Sequence, residues 1–160
     1  MISFLNDKYK KLGKKKFFTL ASILCFMCDV INIAYVNLYA LNKYISNQAI
    51  ANALFAQGIN PAELSVHDFT AYKQLMINAM GLVFSGFLVY HCIVYFMLSR
   101  EKVWAKKYVY GYALTGAILT IVELFFLYRE HFMWGTVMLF TTFIYIYTML
   151  GILFFKKQEL

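Results

Sequence analysis

Three ionisable side chains fall inside long apolar stretches of this chain: Asp29, His91 and Glu123. An acid or an imidazole in hydrocarbon costs about 2.5 to 3.5 kcal/mol on insertion scales, so each is a candidate for ion or proton binding. Cys25-Phe26-Met27-Cys28 adds the spacing of a thiol redox pair, and Cys92 follows His91 directly. Two carboxyl groups with no lysine or arginine beside them cannot both stay ionised in a low dielectric. Asp29 and Glu123 therefore suggest a shared proton or cation.

These residues must be positioned by membrane helices. Of the 160 residues, 62% are hydrophobic and only 14% charged, an excess that excludes an ordinary soluble domain. Roughly 20 apolar residues are needed to cross about 30 Å of hydrocarbon. Four segments qualify: residues 17–41, 75–98, 108–128 and 132–155. Short connections after the second and third make neighbouring spans antiparallel. The expected fold is all-α: a polytopic integral membrane protein, an antiparallel four-transmembrane-helix bundle forming one domain over residues 1–160.

Direction follows from the basic residues. Lys8, Lys10, Lys11, Lys14, Lys15, Lys16, Arg100, Lys102, Lys106, Lys107, Lys156 and Lys157 fall on one side, twelve in all, against Lys43, Lys73 and Arg129 on the other. The positive-inside rule then places both termini in the cytoplasm and the chain in the cytoplasmic membrane. The first span is too long and too polar, at Asp29, Asn32 and Asn37, for a cleaved signal, and reads as a permanent helix. The net charge of +7 is mostly this bias, together with attraction to anionic headgroups, and no nucleic-acid recognition pattern accompanies it.

The outer loop, residues 42–74, reads as a short helical cap. Tyr44, Ile45, Ala49, Ile50, Ala53 and Leu54 recur at helical spacing and stop at Gly58, which predicts that the first span continues as a helix beyond the membrane. Asn60-Pro61-Ala62-Glu63 predicts a second helix start, and His67 to Gln74 the re-entry.

Helical periodicity gives each span a more polar side. Ser22, Cys25, Asp29 and Asn32 share one stripe; so do Tyr112, Gly116, Thr120 and Glu123, and Trp134, Met138, Thr141, Tyr145 and Thr148. Gly81 and Ser85, with Gly116, are expected to permit close helix packing. Counted from their span ends, Asp29 and Glu123 differ by only about 4.5 Å in height and would meet near the midplane. His91 shares a face with Phe84, Phe87 and Leu88 and reads as a packed histidine. The cysteines read as buried apolar fillers, because burial blunts a thiol, and the mixture of Cys25, Cys28, His91 and Cys92 is too irregular for a metal centre.

No enzymatic or cofactor motif is present, so neither a metal nor a cofactor is expected. The leading expectation is a non-enzymatic accessory or assembly component, set in the lipid bilayer as a homo-oligomer or within a larger membrane complex. The second is a proton- or cation-conducting protein with Asp29 and Glu123 as the acids and Thr120, Thr141 and Tyr145 in support. A membrane thiol-redox enzyme using Cys25 and Cys28 is the third.

Overall fold

The computed structural model describes the backbone of residues 2–130 and 132–158 and the side chains of residues 5–125 and 132–158. The described backbone is helical almost throughout and contains no strand. The elements are α1 (Ile2–Leu12), α2 (Lys14–Tyr35), a π-helical turn (Val36–Ala40), α3 (Leu41–Tyr44), α4 (Asn47–Ala56), a 3-10 turn (Pro61–Glu63), α5 (Val66–Ser99), α6 (Val103–Glu130) and α7 (Phe132–Gln158). Four helical stretches are long and apolar enough to cross a membrane: Lys14–Tyr44, Val66–Ser99, Val103–Phe125 and Phe132–Gln158. The connection at residue 131 and the side chain of Arg129 lie outside the described residues.

The chain divides into two compact units, Met1–Asp29 with Tyr90–Leu160, and Val30–Val89. In the first unit, α6 and α7 pack along each other. Its core is built from Phe17, Phe18 and Ala21 of α2, Val94 and Leu98 of α5, Val109 and Ala113 of α6, and Ile152 and Phe155 of α7. Small residues at 21 and 113 let helices approach, and the aromatics fill the remaining space. Hydropathy assigns no structure to the first dozen residues, yet α1 is a helix fastened to α7. Tyr9 is buried, its ring 5.4 Å from that of Phe17, and its hydroxyl donates to the Tyr147 carbonyl at 2.7 Å. One buried tyrosine among exposed lysines leaves too weak a periodicity to see in advance.

The second unit revises the loop. The first long apolar helix does not run unbroken to Gly58. It passes through the π turn, ends at Tyr44, and gives way to an extended Ile45. Ser46 then caps a new helix, accepting from the Ala49 amide at 3.1 Å. A serine in this position satisfies an amide that α4 leaves without an acceptor, which makes a fresh start cheaper than a continuous rod. Gly58, at φ +79°, ends that stretch as expected, because this left-handed conformation strains any other residue. Asn60 caps its neighbour as expected, accepting from the Ala62 amide at 3.2 Å. The helix it starts is only a single 3-10 turn; Ser65, bonded to the Asp68 amide, is the true cap of the next long helix. The re-entry through His67 to Gln74 is therefore already α5, whose 34 residues span about 51 Å and exceed the hydrocarbon thickness.

Candidate functional site

In the first unit, one carboxylate gathers side chains from three other helices. Asp29, on α2, is 2% exposed. Its Oδ2 accepts from the Tyr95 hydroxyl at 2.6 Å and from His91 Nδ1 at 2.6 Å. Its Oδ1 accepts from the Tyr112 hydroxyl at 2.8 Å and the Tyr145 hydroxyl at 2.9 Å. These donors come from α5, α6 and α7. A carboxylate offers about four lone-pair positions, and here all four are taken by the chain itself.

The local sequence explains the convergence. His91 and Tyr95 are four residues apart on α5, so they stand one above the other on the same face. Tyr108 and Tyr112 are likewise four apart on α6, with rings stacked at 9° and centroids 6.2 Å apart. His91 lies edge-on to Tyr112 at 4.5 Å, which fixes the imidazole plane. A carboxylate facing Nδ1 assigns the proton to that nitrogen, leaving Nε2 to meet the Tyr108 hydroxyl at 2.9 Å. Neutral imidazole accepts there from Tyr108; the imidazolium donates to it. Tyr108 is half-buried and lies five residues into α6, about 7.5 Å from its start. The chain of hydrogen bonds thus runs from the buried acid toward one end of the helices.

Gly116 is essential to this geometry. A Cβ built on it would lie 2.9 Å from the Tyr145 ring, so the glycine provides the space from which Tyr145 reaches Asp29. Next to this layer, α2 and α7 meet through thiol and hydroxyl groups. Cys25 Sγ lies 3.4 Å from Thr148 Oγ1, and Cys28 is sealed from solvent at 1% exposure. Both thiols are free and buried, whereas Cys92 is exposed. Among the described residues, no three His, Cys, Asp or Glu side chains are placed to hold a metal ion.

The structure does not bring Glu123 to Asp29. Asp29 bonds to Tyr112, and Glu123 lies eleven residues further along the same helix, about 16 Å away. The expectation of equal height took α6 to begin at Tyr108, whereas it begins at Val103. Glu123 stands at an exposed position between exposed Val122 and Phe125. Of the three supporting residues, Tyr145 reaches Asp29. Thr120 is buried but turns to Thr142, which donates to it at 2.7 Å, and to the carbonyl of Gly116 at 2.8 Å. Thr141 is buried and donates to the Val137 carbonyl at 3.1 Å.

His91 is packed, as expected, at 5% exposure, but it also bonds to Asp29, and the face it uses runs toward Tyr95, one turn later, instead of toward Phe84, Phe87 and Leu88. The signal that would have found the site is hydroxyl or imidazole at four-residue spacing on two helices, His91 with Tyr95 and Tyr108 with Tyr112. In the second unit, Gly81 does allow a close approach: a Cβ there would lie 2.5 Å from Asn37 Oδ1. Ser85 is exposed and donates to the Gly81 carbonyl at 2.9 Å. No protein-family model matches this chain, and neither does any curated protein or solved structure.

Proposed function

We propose that this is a small multi-pass protein of the cytoplasmic membrane, an antiparallel four-helix bundle with both termini in the cytoplasm. Its role in this reading is non-enzymatic: an accessory or assembly component acting as a homo-oligomer or inside a larger membrane complex. The single observation that carries it is the closure of Asp29. A cation path needs acceptor oxygens open to the ion, and all four acceptor positions of this acid are occupied by Tyr95, His91, Tyr112 and Tyr145. A fully satisfied polar network makes a helix assembly specific and rigid. Outside that network, only 22% of the apolar windows of Val66–Ser99 and Val103–Phe125 is buried, which leaves helix surface for lipid or for partner helices.

The test is purified protein in liposomes carrying an internal pH dye, challenged with imposed proton and potassium gradients, beside the same protein in mildly solubilised native membranes. The expected result is leakage no greater than that of empty liposomes and migration as a discrete oligomer or complex on native gels. Flux that vanishes in a folded Asp29→Asn variant would overturn the reading.

A second reading, proton binding from the cytoplasmic end, is favoured by one observation: the Asp29–His91–Tyr108 chain ends at a half-buried hydroxyl. In that case Tyr108→Phe would slow proton uptake without unfolding the protein, a response that a purely structural clamp would not give.

A further inference from the structure

A bare helix face in the second unit carries a repeat that the Asp29 cluster does not use. Along α5, Leu75, Asn78, Leu82, Ser85 and Val89 are spaced alternately three and four residues apart, and all five are exposed. The same spacing continues along the helix at Cys92 and Phe96, again exposed. A repeat of about 3.5 residues keeps one stripe facing a partner helix at a left-handed crossing, whereas lipid imposes no period on the surface it wets. Large residues at 75, 82 and 89 alternate with short polar ones at 78 and 85. Exposed Ala79 and Gly86 flank the stripe, so a second helix can come close to the backbone. A Cβ on Gly86 would meet nothing within 4 Å, so the chain itself leaves that approach open.

Beside the stripe lies a groove of about 560 Å³, lined by Asn37 and Leu41 and, from α5, by Asn78, Gly81, Leu82 and Ser85. In a parallel pair with this repeat, residue 82 packs as a knob into the hole formed by residues 78, 81, 82 and 85 of the other helix, and those four line the groove. Leu82 is 76% exposed and free to serve as that knob. Knob and hole on one patch are what a two-fold contact requires, because each copy must offer both. Asn78 points to the same occupant. Its Oδ1 accepts from Gln74 Nε2 at 2.9 Å, and its Nδ2 donates to no described residue. Acyl chains offer a carboxamide nothing, whereas a carboxamide is both donor and acceptor and so matches its own copy. A strip from Leu75 to Phe96, about 32 Å long on a helix about 10 Å across, gives roughly 300 Å² per copy. That is small beside the ~800 Å² per partner of a stable soluble complex, so the groove and the asparagine have to supply the specificity.

We infer that α5 is the self-association face of this protein: two copies pair in parallel along this stripe, with Asn78 meeting Asn78 and each Leu82 seated in the other copy's groove. The inference rests on the homo-oligomer reading above, in which all copies share one orientation.

The experiment has two arms, both on the full-length chain. In the first, copper phenanthroline oxidises membranes in which each chain carries one exposed cysteine along α5: native Cys92, or Ser85→Cys or Phe87→Cys in a Cys92→Ser background. Cys25 and Cys28 stay buried throughout. Cys92 and Ser85→Cys are expected to give a covalent dimer of twice the chain mass; Phe87→Cys, at a position 55% exposed but off the stripe, is expected to give almost none. In the second arm, energy transfer between donor- and acceptor-labelled copies is followed against protein-to-lipid ratio in neutral liposomes. Asn78→Val should lower the association constant by about 3- to 18-fold, the worth of one interhelical hydrogen bond in a membrane. Gly86→Trp, whose side chain enters open space in the single chain, should lower it as well without disturbing the fold. Transfer unchanged in both variants, or cross-linking as strong at Phe87→Cys as at Ser85→Cys, would overturn this face and leave the homo-oligomer reading standing. No transfer at any ratio would overturn both, and a cross-linked product of another mass would overturn the inference in favour of a different protein.

Discussion

Two acids sit in apolar helices of the same unit, and the protein treats them in opposite ways. Asp29 is enclosed, with donors from three helices on its two oxygens. Glu123 stands at an exposed position and accepts no hydrogen bond from a described residue. Residue type alone made them equivalent candidates, but a carboxylate becomes part of a membrane core only where neighbouring helices bring enough donors to the same height. The difference is thus a property of the tyrosines and the histidine, not of the acids.

The largest expected effect follows from removing the acceptor. Asp29→Ala leaves three phenol hydroxyls and an imidazole facing a vacancy, and should destabilise the protein by about 3 to 5 kcal/mol, read from unfolding in mixed detergent titrations. Next comes Gly116→Ala. Its methyl group would press on the Tyr145 ring, which cannot yield without leaving Asp29, for an expected loss of about 1 to 3 kcal/mol. Gly111→Ala is the control on the same helix: a Cβ there meets nothing within 4 Å, so the substitution should be neutral or slightly stabilising. Removing single donors, as in Tyr95→Phe or Tyr112→Phe, should cost about 1 to 1.5 kcal/mol each, because the carboxylate keeps its other bonds. Glu123→Gln should change stability by less than about 0.5 kcal/mol. A loss there as large as that for Asp29→Ala would erase the contrast between the two acids.

The membrane helices were legible in the sequence because hydropathy over some 20 residues depends on composition, not on neighbours. Their ends were less so. The 34-residue α5 begins at a serine cap, Ser65, in a polar segment where hydropathy carries no signal. The continuous helix expected through Tyr44 to Leu54 failed on one residue, Ser46, whose side chain offered the backbone a competing cap. The site was half visible. Asp29, Tyr112 and Tyr145 stood out as polar residues on helical stripes, while Tyr95 and Tyr108 were lost among thirteen tyrosines that elsewhere act as apolar bodies. Which of them turn a hydroxyl toward the acid is decided by helix rotation and by the space that Gly116 leaves for Tyr145. Neither is written in one helix alone.

A double-mutant cycle between Asp29→Asn and Tyr112→Phe, followed by equilibrium unfolding in mixed detergent, tests the central claim most directly. The asparagine keeps one acceptor oxygen and puts an amide donor in place of the other, so it can no longer accept from all four neighbours. If the carboxylate is the common acceptor for the surrounding helices, the two losses are strongly non-additive, with a coupling of about 1 kcal/mol or more, while the cycle of Asp29→Asn with Glu123→Gln is additive. Additive losses at Asp29 and Tyr112 would contradict the account, because the two residues would then not share a bond that holds the helices together.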